Sequence, residues 1–238
     1  MNAKKRISNL DTSNFLLGQY HLRYCSSQLA TRFTFQHHDP FKDWDLWRLF
    51  TFFEEIDFDL LEKPNIYDMG CGKKFAGIKF CEDVLKSQPC YFASDILKVN
   101  FKALENKVDF YQGLIEDVKI APNSIDLAIS LSVIEHGVNL EKFAKVLFQS
   151  LRPGGHFFIT TDFWKSQMNV GHLFPYGGEM PAMFVFSPDT LQSLKNTLVN
   201  EGLTVFEDNV SSSAIEDACV YWQRMDQRYT FGAIVGKK

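Results

Sequence analysis

The chain has 238 residues, enough for one large domain or for one domain with an added cap. Its 45% hydrophobic and 15% aromatic content excludes a disordered chain, and five cysteines with no C-x-x-C pair give neither a disulfide framework nor a thiol-rich metal site. A net charge of -4 argues against a broad nucleic-acid-binding surface.

The charge is uneven: Lys4, Lys5, Arg6, Arg23 and Arg32 against Asp11 give residues 1–36 a net +4, and the remainder sums to -8. The stretch 1–38 reads as polar and irregular, a solvated arm. Its first ten residues, MNAKKRISNL, contain no apolar h-region, and no window approaches 18 consecutive apolar residues, so a soluble, cytoplasmic protein without a membrane segment is expected. His37 and His38 point in different directions and have no spaced third ligand, so no metal is expected. Over 41–62, Leu46, Leu49, Phe50, Phe53, Asp57 and Leu60 recur at helical spacing, with an exposed acidic face of Asp43, Asp45, Glu54, Glu55, Asp59 and Glu62, and Pro64 ending the helix. Residues 1–62 thus form an arm and helical cap, and 63–238 one compact unit.

From there short apolar runs alternate with helical segments. Strands are predicted at Ile66–Met69, Tyr91–Ser94, Val108–Gln112, Ile125–Leu131 and from His156, after the turn Arg152-Pro153-Gly154-Gly155. Helices are predicted near 75–87 and over the stripe Leu140, Phe143, Ala144, Leu147, Leu151. Such alternation gives an α/β fold with a parallel sheet covered by helices. A Gly- and Pro-rich stretch, 163–187, is long enough to be functional and is expected to contact substrate. A helix over 188–201, strands Leu203–Phe206 and Tyr229–Val235, and between them a helical stripe of Ile215, Ala218, Cys219, Trp222 and Met225 complete the reading.

The first strand ends Tyr67-Asp68-Met69-Gly70-Cys71-Gly72. Glycines at 70 and 72 allow a sharp turn and close approach of a ligand. A dinucleotide fingerprint would need a third glycine where Phe75 stands. Asp68, two residues before the first glycine, suits a cationic ligand better than a pyrophosphate. Asp95, at the end of the second strand, is placed for ribose hydroxyls. Together these residues imply a ligand with a cationic end and a ribose but no phosphate, a description that S-adenosylmethionine fits.

The segment 65–162 resembles the class I S-adenosylmethionine-dependent methyltransferases. Asp68-Met69-Gly70-Cys71-Gly72 looks like their first motif. Gly113-Leu114-Ile115-Glu116-Asp117 with Pro122-Asn123-Ser124-Ile125-Asp126, Ser130-Leu131-Ser132-Val133-Ile134-Glu135-His136, and Arg152-Pro153-Gly154-Gly155-His156 are similar to later ones, in order. The resemblance implies a Rossmann-like, doubly wound, seven-stranded and mostly parallel sheet with an antiparallel last strand. It implies cofactor contacts at Asp68 (the ammonium group), Gly70, Cys71, Gly72, Asp95 (the ribose), Ile96, Ile115 (adenine), Glu116 and Ser130 (its carbonyl). Leu114 stands where many members have an Asp, and Lys73-Lys74 replace the usual small residues. His136, with Glu135 beside it, is the candidate base for a hydroxyl acceptor, the alternative being that Glu135-His136 begins the next helix and braces the cofactor loop; Asp162 and His172 are lesser candidates.

The expected activity is methyl transfer to a small-molecule or glycan acceptor, at O or N. A non-catalytic cofactor- or partner-binding module is the alternative, with Lys73-Lys74-Phe75 and Leu114 as signs of lost activity. A Rossmann oxidoreductase is a third reading, against which the missing glycine and Asp68 speak. Residues 1–40 are predicted to fold over the cofactor as a lid.

Overall fold

The computed structural model describes residues 9–37, 39–58, 61–98, 107–170, 172–174, 181–206, 217–223 and 226–238. Among the described residues eight strands form the sheet: β1 (Asn65–Met69), β2 (Cys90–Asp95), β3 (Val108–Gln112), β4 (Ile125–Leu131), β5 (Leu151–Phe163), β6 (Thr204–Val205), β7 (Val220–Trp222) and β8 (Gln227–Lys237). The order is β3-β2-β1-β4-β5-β8-β6, with β7 paired to β8. The pairs from β3 through β5 are parallel, while β8 runs antiparallel to β5, β6 and β7. The mostly parallel Rossmann-like sheet expected from the sequence is therefore present, with a short hairpin strand added.

Successive side chains of a strand face opposite sides, and here both sides are covered. Ile66, Ile129, Phe158 and Val235 pack with the helices α1 (Asn9–Arg32), α2 (Asp43–Glu55) and α3 (Ala76–Val84). Tyr67, Ala128, Phe157 and Ile234 pack with α4 (Leu140–Ser150) and α5 (Pro188–Asn200). The near-continuous apolar run of β4 follows from this double burial.

Four expectations need correction. The arm is not irregular: α1 is a helix of 24 residues. It buries Leu22, Cys25 and Leu29 while Leu16, Leu17, Tyr20 and Tyr24 stay exposed on another face. With apolar residues on two faces, no single stripe marks it as amphipathic. Gly18 lets it lie against the chain at Ala218, whose backbone oxygen would be 2.4 Å from an added Cβ. Gln19 Nε2 donates to the Cys219 backbone oxygen beside it.

The second correction concerns α2, which ends at Glu55, with Asp57 in the left-handed region (φ 50°) before Pro64 is reached. Its acidic residues are not all solvated: Asp43 and Asp45 are buried, whereas Glu54, Glu55 and Glu62 are exposed. Third, β5 starts at Leu151, so Arg152–Gly155 fall inside it at a register irregularity opposite Ile125–Leu127. Arg152 Nε pairs there with the Asp126 carboxylate. Fourth, Ala218–Trp222 is extended chain leading into β7, because its partner across the hairpin is β8. Ile215 and Met225 of the expected helical stripe, like Asp59, Leu60 and His38, lie outside the described residues.

Candidate active site

A cavity opens at the carboxyl ends of β1, β2 and β4, the place where a doubly wound sheet binds ligands. At one end β1 delivers Asp68 and the turn Gly70-Cys71-Gly72, and β2 delivers Asp95 and Ile96. Gly70 (φ +83°) and Gly72 (φ +61°) hold left-handed conformations that favour glycine. Phe75, in the third-glycine position, also has a positive φ (52°) and buries its ring edge-to-face against Phe110. Lys73 and Lys74 point outward: both are exposed and neither lines the cavity.

Asp95 is tied on both oxygens, Oδ2 accepting from Gly72 N and Oδ1 from Leu97 N, each at 2.8 Å. Asp68 is 2% exposed and its Oδ2 has no hydrogen-bond donor. Burial first, and then the Asp95 carboxylate, push the Asp68 carboxyl up to about 7. A hydrogen bond from the Ile78 backbone lowers it in part, and the oxygen left without a donor suits a cation. Ile115 and Glu116 reach the cavity from a one-turn 3-10 helix, with Leu114 beside them. Glu116 Oε1 also accepts from Asn139 N (2.9 Å) at the start of α4.

The other end is built by the cap. The 3-10 turn Pro40–Lys42 and α2 bring Lys42, Asp45 and Leu46, and His37 precedes them, facing Ser132, Val133 and His136 from the segment after β4. Lys42 Nζ donates to Ser132 Oγ (2.7 Å), Ser132 Oγ donates to Asp45 Oδ2 (3.0 Å), and Lys42 lies 3.5 Å from Asp162 Oδ1. Burial alone would depress the Lys42 ammonium, but Asp162, Asp45 and Glu135 outweigh it and hold the proton firmly.

The predicted residues separate into two groups. Asp68, Gly70, Cys71, Gly72, Asp95, Ile96, Ile115, Glu116 and His136 line one cavity. Ser130, Glu135 and Asp162 do not. Ser130 lies within β4, one residue before the wall formed by Leu131, Ser132 and Val133. Glu135 is fully buried and accepts from Thr161 Oγ1 (3.0 Å), and burial raises its carboxyl. Burial lowers the His136 imidazole, Asp162 raising it in part. His172 is exposed, and no described residue of 163–187 lines the cavity. That stretch instead braces the turn after β4, Phe184 N donating to the Glu135 backbone oxygen (2.9 Å).

Sequence reasoning missed Lys42, Asp45 and Ser132 as site residues. A signal for Asp45 existed: it shares the helical positions i, i+4, i+7 with Leu49 and Phe52, both fully buried.

Residues 67–159 match a family described as "Methyltransferase domain". The matched segment marks a methyltransferase domain of the S-adenosylmethionine-dependent family. Among curated relatives, the human mitochondrial ubiquinone biosynthesis O-methyltransferase is 28% identical over 163 residues, 59% of this chain and 42% of that protein. The chain thus spans well under half the length of the curated relatives it matches. Of solved structures, the Burkholderia thailandensis 1,6-didemethyltoxoflavin-N1-methyltransferase with bound S-adenosylhomocysteine aligns over 100% of this chain and 94% of its own. The TM-score is 0.54 at 12% identity. The [4+2]-cyclase SpnF gives 0.57 at 13% identity, covering 79% of this chain and 80% of its own. At such identities the likeness concerns fold.

S-adenosylmethionine, the cofactor of this family, fits the residues present. The unpartnered Asp68 oxygen suits the methionine ammonium, Asp95 the ribose hydroxyls and Ile115 the adenine face. The acids Asp68, Asp95 and Glu116, with the two lysines turned away, would repel a phosphate.

Proposed function

We propose that this methyltransferase transfers a methyl group from S-adenosylmethionine to a hydroxyl of a small, largely apolar acceptor. When bound, the cofactor supplies an electrophilic methyl on a sulfonium, and the remaining task of the protein is to position the acceptor in line and to handle its proton. The observation that carries the reading is the single cavity with two unlike ends: Asp68, the glycine turn and Asp95 at one, Lys42, Asp45, Ser132 and His136 at the other.

Leu46, Leu131, Val133 and Val138 add apolar wall to the same cavity. That wall supports a ring or short apolar acceptor over a glycan, whose many hydroxyls would be left unpaired against it. The names of the relatives supply an O-acceptor in one case and an N-acceptor in another; the hydroxyl is favoured here because the polar end offers oxygen and imidazole acceptors for its proton. The cap supplies His37, Lys42, Asp45 and Leu46 to the cavity, which supports a role for the amino-terminal region as its cover. The binding-module alternative took Lys73-Lys74 and Leu114 as signs of lost activity; the two lysines are exposed and line no part of the cavity, which removes their share of that support, whereas Leu114 does line it.

The test is turnover of S-adenosylmethionine with catechol, aniline and a hexose as acceptors, followed by mass spectrometry. The reading expects a methyl ether of catechol, with S-adenosylhomocysteine formed in equal amount. Methylation confined to the amine or the sugar would overturn the hydroxyl assignment.

A further inference from the structure

We propose that Asp45, contributed by the cap, is the base that takes the proton of the acceptor hydroxyl, with Ser132 and Lys42 as its positioning residues. This rests on the methyl-transfer reading above.

Asp45 lines the cavity yet is only 2% exposed. Its two oxygens are unequal. Oδ2 accepts the Ser132 hydroxyl proton, and Ser132 is oriented in turn by the Lys42 ammonium. Oδ1 has no hydrogen-bond donor. A buried carboxylate oxygen left without a donor is costly, and a ligand hydroxyl that reaches it would relieve that cost. The relay from Lys42 through Ser132 anchors one oxygen of the carboxylate and leaves the other unfilled. A hydroxyl donor is the complementary group; a carboxylate or phosphate is not.

The surrounding groups set the carboxyl in a useful range. Burial raises it; Lys42 and the Ser132 and Thr160 hydroxyls lower it; Asp162 raises it again, and it settles at about 6. Around the same Lys42 stand Glu135 from the turn after β4, Asp162 from β5 and Tyr229 from β8, with His136 close to Asp162 and Lys42. A base with a value near the working pH is ionised enough to accept and basic enough to pull. Neither Glu135 nor Asp162 lines the cavity, so each acts on the acceptor only through this cluster.

In the step, the acceptor O–H bond breaks and its proton forms an O–H bond at Asp45 Oδ1. The pair left on the acceptor oxygen forms the new O–C bond as the methyl–sulfur pair withdraws onto sulfur. The proton then passes from Asp45 to water.

The test compares the wild type with Asp45→Asn, His136→Asn and Ser132→Ala. It measures the binding of catechol and of its dimethyl ether, which lacks a hydroxyl, across roughly pH 5 to 8. In the wild type, catechol affinity should rise through about pH 6 as Asp45 ionises, while the ether stays flat. Asp45→Asn should abolish that rise and the preference for catechol, and should lower turnover roughly a hundredfold or more. Ser132→Ala should move the rise to higher pH without removing it, an effect that a merely structural role would not produce.

S-adenosylmethionine affinity, measured by calorimetry, should be within about twofold of wild type in Asp45→Asn. A wild type that binds catechol in this way but not the cofactor would contradict the methyl-transfer reading and leave the Asp45 binding result standing apart. The assignment itself is overturned if Asp45→Asn keeps the pH-dependent preference for catechol, if His136→Asn alone removes it, or if the wild type binds neither probe.

Discussion

The carboxylate of Asp95 is bonded to the backbone N–H of Gly72 at 2.8 Å, joining the end of β2 to the turn that follows β1. Its other oxygen holds Leu97 N at the same distance. The residue expected to read a ribose is thus also a brace for the glycine turn. Replacing it with Ala leaves two N–H groups without their acceptor, at a cost of about 1–3 kcal/mol for each that stays buried. Asp95→Ala should therefore lower the unfolding midpoint in denaturant, with Asp95→Asn between it and the wild type.

Asp68 makes cofactor affinity depend on pH. With the carboxyl pushed up to about 7, the ligand-free site binds a proton that a cationic ligand must displace. Affinity for S-adenosylmethionine should rise by up to about tenfold per unit below pH 7 and level off above it. The sign for stability is opposite: a raised acid stabilises the folded state at low pH, and the contribution is lost as pH rises through 7. Calorimetry at several pH values checks the first, and a shallower fall of Tm in Asp68→Asn checks the second.

The two turn glycines should fail differently. A Cβ at Gly70 would stand 2.5 Å from Val133 Cγ1, whereas one at Gly72 meets nothing within 4 Å. Both have positive φ and carry the left-handed penalty of about 1–2 kcal/mol. Gly70→Ala should destabilise the fold by more than that and disturb the cavity wall at Val133. Gly72→Ala should lose little more stability than the penalty itself, while a methyl at the cavity lowers cofactor affinity.

Lys42 is the cation of an acid-rich cluster. Lys42→Met leaves Asp45, Asp162 and Glu135 facing one another without it. Removing one partner of a buried charge pair costs on the order of 3–5 kcal/mol, and the partial exposure of Lys42 should reduce this. Lys42 lowers both Asp45 and Glu135, so without it both carboxyls rise further, and the loss should shrink as pH falls and they take up protons in its place. Denaturant unfolding of the variant at pH 5 and pH 8 measures the difference.

The parallel half of the sheet was legible because each strand is a short apolar run bounded by turn residues and buried on both faces. Asp68 and Asp95 were legible because strand ends place side chains by a simple rule. The helix α1 was hidden by its two apolar faces, one packed and one exposed. The strand β7 was hidden because Ala218, Cys219 and Trp222 also satisfy a helical spacing, and only the partner strand β8 decides between them. Lys42 and Asp45 escaped notice for a third reason. Their roles arise from contacts with Ser132 and Asp162, some 90 to 120 residues away, and an acid in a charged helix reads as solvated until the sheet beneath it is in place.

The most direct test is calorimetric titration of S-adenosylmethionine into the wild type and into folded Asp95→Ala. The cavity described here predicts micromolar binding that weakens at least tenfold in the variant, a loss of about 1.4 kcal/mol. Absence of binding to the wild type, or equal affinity in the two proteins, would contradict it.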